Sequence, residues 1–173
     1  MFYLVRSDFS APKLHRSEGH KIVAELIQNA KLNKGDMILL TYYTPDRFEK
    51  YFDFSNYSVL SINKSNAGEY LGVNSKADFK KFDYKIFQGR FKDEVVNQLK
   101  PHQKLAVVIL DDVAVYSPMQ MYQILTNYDL YKKAPYMFMV FSSLKNEIVN
   151  QPYLQLRRME VKGSWSIFTF EKQ

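Results

Sequence analysis

The sequence predicts an α/β protein: a mostly parallel, doubly wound sheet in three layers with a C-terminal antiparallel hairpin. Two observations carry that expectation. Short apolar runs, Met37 to Leu40, Leu105 to Leu110 and Tyr136 to Phe141, lack polar alternation, as strands buried on both faces do. Between them lie stretches with helical spacing, and strands alternating with helices build parallel sheets. The chain has 173 residues, a length that suits one domain over residues 1–173 with a core able to stand alone.

Phe2 to Val5 reads as the first strand. The polar loop Arg6 to Arg16 follows, and Ser17 with Glu18 suits a helix start, where an oxygen acceptor and a negative charge are both favoured. Ile22, Val23, Leu26, Ile27 and Ala30 form one helical stripe. Gly35-Asp36 ends that unit before the run Met37 to Leu40. Pro45 opens a short helix carrying Phe48, Tyr51 and Phe52, and Tyr57 to Ile62 is a third strand. Asn63 to Ser75, rich in Asn, Ser and Gly, reads as loop or turn. Asp93 to Leu99 fits a helix stopped by Pro101.

Leu105 to Leu110 runs directly into Asp111 and Asp112. Ser117-Pro-Met-Gln120 is a helix start, with serine as cap, proline at the first helical position and glutamine three residues after the cap. That helix extends to about Tyr128. Tyr136 to Phe141 is then expected as a buried strand ending in Ser142-Ser143, with helical turns over Leu144 to Val149. Leu154 to Val161 and Trp165 to Phe170 flank Lys162-Gly163-Ser164 as the terminal hairpin.

Composition narrows the function classes. Hydrophobic (46%) and charged (24%) contents are those of a globular protein. The chain has no cysteine, which excludes disulfides, thiolate metal sites and a thiol nucleophile. No apolar run reaches the roughly 18 residues of a membrane span, and the start lacks a basic leader. The expectation is a soluble, cytoplasmic protein without membrane partners. The net charge of +6 favours anionic partners, nucleic acid or an acidic protein. Oligomeric state is not legible.

In open α/β sheets ligands gather at the carboxyl ends of strands, so Asp111 and Asp112 stand where chemistry is expected. A solvated strand end is the plainer account of them. An apolar strand ending in two acids, then a helix, then an apolar run ending in Ser-Ser resembles the Walker B to sensor-1 half of P-loop NTPases. That resemblance implies Asp111 as the magnesium ligand and Asp112 as the group that orients the attacking water. It implies a phosphate sensor among Ser142, Ser143 and Asn146. The glycine-rich phosphate loop is missing: Arg6 to Ser17 contains no glycine. A non-hydrolysing relative is therefore the expectation, a P-loop-like or Rossmann-like binding subunit.

Other constellations compete. Glu160-Val-Lys162 resembles the Glu-x-Lys of the PD-(D/E)xK nucleases, which implies Mg2+ held by Glu160 and an earlier Asp, with Lys162 stabilising charge on the phosphate. Asp111 and Asp112 would then be catalytic in a magnesium-dependent phosphoryl- or glycosyl-transfer enzyme. Arg6, Lys13, His15 and Arg16 sit before a helix N-terminus, where phosphate binds in many α/β folds. Lys76 to Lys92 interleaves aromatic rings with Lys80, Lys81, Lys85 and Arg90, a mixture that suits single-stranded nucleic acid. The ordinary alternative is that Phe79, Phe82 and Phe91 are packing residues. A third class, a structural or assembly protein, stays open. Whether the chain is an enzyme is undecided at this level.

Overall fold

In a computed structural model, residues 16–63, 65–73, 83–110, 135–163 and 165–173 are described. The described elements are α1 (Arg16–Asn29), β1 (Met37–Thr41), a 3-10 turn (Pro45–Phe48), β2 (Ser58–Ile62), α2 (Ala67–Leu71) and α3 (Tyr84–Phe91). A single π-helical turn, Lys92–Val96, extends α3. Next come β3 (Lys104–Leu110), α4 (Pro135–Asn150), β4 (Leu154–Lys162) and β5 (Trp165–Lys172). The predicted first strand, Phe2 to Val5, and the predicted helix Ser117 to Tyr128 lie outside the described residues.

The protein is α/β, with an open five-stranded sheet of order β2-β1-β3-β5-β4. β1 pairs in parallel with both β2 and β3, whereas β5 pairs antiparallel with both β3 and β4. The described sheet is thus mixed, not mostly parallel. Leu154 and Trp165 begin antiparallel neighbours, as the sequence suggests, but of the two strands β5 is interior and β4 alone stands at an edge of the described sheet. The reason is compositional: β5 puts Trp165, Ile167 and Phe170 into core on alternate faces, a pattern of a covered strand.

Alternation along β1 sends Met37 and Leu39 into one apolar cluster and Ile38 and Leu40 into the other. The first cluster is covered by α2, α3 and α4 through Leu71, Phe87, Val140 and Leu144. The second is covered by Val23, Leu26, Ile27 and Ala30 of α1 and by Phe48 of the 3-10 turn. The α1 stripe read from spacing is this buried face, with Val23 and Leu26 fully enclosed.

Two further expectations are corrected. Tyr136 to Phe141, predicted as a strand, belongs to the sixteen-residue helix α4. Val140, Leu144 and Ile148 are buried at four-residue intervals, and Pro135 occupies the first helical position, where its missing N–H costs nothing. An apolar run alone cannot separate the two states; its continuation at helical spacing does. Asn63 to Ser75, predicted as loop or turn, contains α2. Its Asn side chains shape the turn before the helix: Asn63 Oδ1 accepts from the Ser65 amide at 2.9 Å, and Asn66 Oδ1 accepts from the Asn63 amide at 2.8 Å. Gly72 ends α2 in a left-handed conformation, φ 66°, where a Cβ would also meet Ile86 Cδ1 at 2.5 Å.

A candidate functional site at the carboxyl ends of β1 and β3

β1 leads to β2 on one side, while β4, the next strand in sequence after β3 among the described residues, lies on the other, beyond β5. The carboxyl ends of β1 and β3 are therefore a topological switch point, where ligands of open α/β sheets settle. Thr41 ties the two strands there. Its buried hydroxyl donates to the Val108 carbonyl at 2.7 Å.

The chain leaves β1 through Tyr42 at φ 76°, a left-handed conformation that costs an aromatic residue about 1–3 kcal/mol. Its amide donates to Ile62 O at 2.9 Å, so the left-handed turn is anchored to β2. The turn sends Tyr43 across the strand ends. The Tyr43 ring stacks on Trp165 with centroids 5.2 Å apart and lies 4.4 Å from the His20 ring. Ser61 Oγ donates to Tyr43 O at 2.8 Å and fixes the backbone. Gly19 of α1 makes room, since a Cβ there would stand 3.0 Å from the Tyr43 hydroxyl.

His20 completes this wall. It sits edge-on to Phe48 at 5.3 Å. Its Nε2 is buried and has no hydrogen-bond partner among the described residues. Burial, and then the Arg47 guanidinium, hold its pKa below the ordinary 6.5; Asp46 opposes them. The imidazole thus lies beside the Tyr43 and Phe48 rings, in surroundings that disfavour its protonated form, with one buried polar atom that has no partner among the described residues.

A pH dependence follows. A histidine with a depressed folded-state pKa binds its proton more readily when unfolded. Its contribution is full above 6.5 and is lost as pH falls from there through the depressed value. Thermal unfolding should show a loss of stability in that window that His20→Phe abolishes. Glu25, Asp53 and Glu171 are held low by Lys162, by the Ser55 amide and by Arg157, respectively. Their losses begin only below their ordinary values of 4.5, 3.8 and 4.5, a separate window.

The residues expected from sequence fall in several places. Asp111 and Asp112 follow Leu110, at the carboxyl end of β3, and lie outside the described residues, as do Arg6, Lys13, His15, Lys80 and Lys81. Arg16 is the first residue of α1. Ser142, Ser143 and Asn146 lie on α4, a helix, not at a strand tip. Ser143 is buried and its hydroxyl has no hydrogen-bond partner among the described residues. Asn146 donates to the Tyr84 hydroxyl at 2.7 Å, and that hydroxyl donates to the buried Glu147 carboxylate. Burial and Glu147 push the Tyr84 hydroxyl above its usual range. This network ties α3 to α4.

Lys85 is exposed on α3. Arg90 lies over the Tyr70 ring at 5.3 Å and 3.9 Å from Glu94. Phe91 packs in the core as the ordinary reading of that stretch expects. Glu160 and Lys162 share the α1 side of β4: Asn29 Nδ2 donates to Glu160 at 3.1 Å, and Lys162 pairs with Glu25. Their partners are structural ties. Among the described residues, no group of three or more His, Asp or Glu side chains could hold a metal, and no helix is long and apolar enough to cross a membrane.

Tyr42, Tyr43 and Trp165 were not singled out by sequence reasoning as site residues. The signal was present: the strand-end rule applied to Asp111 applies equally to the residues after Leu40. No protein-family model matches the chain, and comparison with curated proteins returns no match.

Proposed function

We propose that the protein is a non-hydrolysing, Rossmann-like or P-loop-like binding subunit that engages single-stranded nucleic acid at the carboxyl ends of its parallel strands. In this reading the domain is doubly wound and three-layered. The observation that carries the proposal is the wall of Tyr42, Tyr43 and His20 at the switch point, held by a left-handed Tyr42. Strain at such a position is retained where surrounding structure over-determines it, often for binding. Rings stack on bases irrespective of sequence, and cations meet the phosphates. Exposed Lys21 and Arg47 adjoin His20 and the 3-10 turn, and the net charge of +6 supports an anionic partner.

The test is fluorescence anisotropy of a labelled single-stranded oligonucleotide across a salt series. Affinity should fall steeply with salt. Tyr42→Gly, which suits the left-handed backbone, should weaken binding by about tenfold to a hundredfold, the equivalent of one lost base stack. Asp111→Ala/Asp112→Ala should bind as wild type. Failure to bind at low salt would sink the proposal, and binding of acidic polypeptide alone would redirect it to a protein partner. Thermal stabilisation by magnesium, lost in the double aspartate variant, would favour the phosphoryl-transfer reading instead.

A further inference from the structure

β4 has a neighbour only on its β5 side among the described residues, and nine residues is long for an open edge. Register places Leu156, Met159 and Val161 opposite Phe170, Phe168 and Ser166, so all three project from the same face of the sheet. They are 52%, 58% and 49% exposed. Three of the seven exposed large apolar side chains among the described residues thus sit on one edge strand. Such an edge is a ready template for strand pairing.

The opposite face decides the partner. Arg158 and Glu160 lie there, two residues apart, ion-paired at 2.7 Å. An antiparallel copy of the same strand, centred on Met159, sets residue 158 of each chain opposite residue 160 of the other. Arg158 then faces Glu160 twice across a two-fold axis, and Met159 faces its own copy on the apolar side. A two-fold interface must be self-complementary in this way. A strand that sets a base opposite Arg158 or an acid opposite Glu160 is repelled, whereas a second copy presents the complementary charge at both positions. The match covers Arg158 to Glu160, and the bulge between Leu156 and Arg158 ends it there; Arg157 turns its guanidinium to Glu171 at 3.0 Å, within its own chain.

We propose that the β4 edge is an interface with a second copy of this chain, paired antiparallel about Met159 so that the two sheets become continuous. Sedimentation equilibrium of the full chain over a concentration range tests it. Wild type should dimerise. Arg158→Glu sets Glu against Glu, and Glu160→Arg sets Arg against Arg; each should raise the dissociation constant by about tenfold or more. Mixing the two single variants should restore association as a heterodimer, because both cross-strand pairs become complementary again. Repair of the pair within one chain cannot produce that result. The exposed intrachain pair contributes little to folding, so both variants should fold. Lys85→Glu on α3 should dimerise as wild type. A wild type that stays monomeric throughout, single variants that dimerise normally, or a mixture that does not associate would each overturn the proposal.

Discussion

Phe87→Ala should destabilise the protein by about 3–5 kcal/mol, a large share of the ~5–15 kcal/mol that holds a domain together. Phe87 is fully buried. It sits on α3 between Tyr84 and Phe91, near-parallel to both at 6.4 Å between centroids. That ladder joins α3 to the sheet face formed by Leu39, Leu105 and Val107 and to Leu144 of α4. Truncation removes the transfer free energy of a ring and leaves a cavity that α2 and α4 cannot both close. Urea unfolding followed by fluorescence of Trp165, the single tryptophan, measures it from the opposite sheet face. With an m-value of about 2 kcal/mol/M, the midpoint should fall by roughly 2 M. Phe87→Leu, which fills most of the space, should cost much less. Equal losses in the two variants would mean that the volume at this position is not what matters.

The same residue illustrates what the sequence discloses. Helical spacing of Tyr84, Phe87 and Phe91 is visible, yet the surrounding lysines give that stretch the look of a nucleic-acid surface. Only burial separates the two, and burial is a tertiary property. β1 and β3 were legible because runs such as Leu105 to Ile109 admit no exposed face, and all five residues are buried. α1 was legible because its stripe is long enough to fix a period. Tyr136 to Phe141 was not, because six apolar residues fit either a strand or a little over one and a half helical turns. The antiparallel insertion of β5 between β3 and β4 depends on pairing choices between distant segments, which leave no local pattern. At the site, the position of the strand ends could be read, but the contact of His20 with Tyr43 could not, since it joins a helix to a loop distant in sequence.

Asp36→Ala should cost about 2–5 kcal/mol, through hydrogen bonds and not through volume. Asp36 precedes β1 and is 3% exposed. Its Oδ2 accepts from the Asn33 amide at 2.6 Å, and its Oδ1 accepts from the Lys104 amide at 3.0 Å. Its own carbonyl accepts from the Ser58 amide at 3.0 Å. One residue therefore ties the starts of all three parallel strands, and its carboxylate satisfies two amides that no strand ladder reaches. Alanine keeps the carbonyl bond and removes the acceptor of two part-buried amide donors, each loss costing about 1–3 kcal/mol. Asp36→Asn separates the contributions. An amide side chain has one accepting oxygen, so one amide keeps a partner while the other faces an N–H donor. Its loss should fall between wild type and alanine, or approach alanine if that clash turns the side chain away. Hydrogen exchange gives the local readout: the Asn33 and Lys104 amides should lose protection in Asp36→Ala well beyond the global loss, while the amides of Val107 and Val108 track global unfolding alone. Unchanged protection at Asn33 and Lys104 would mean that solvent replaces the carboxylate, and that the three strand starts are held by their ladder without it.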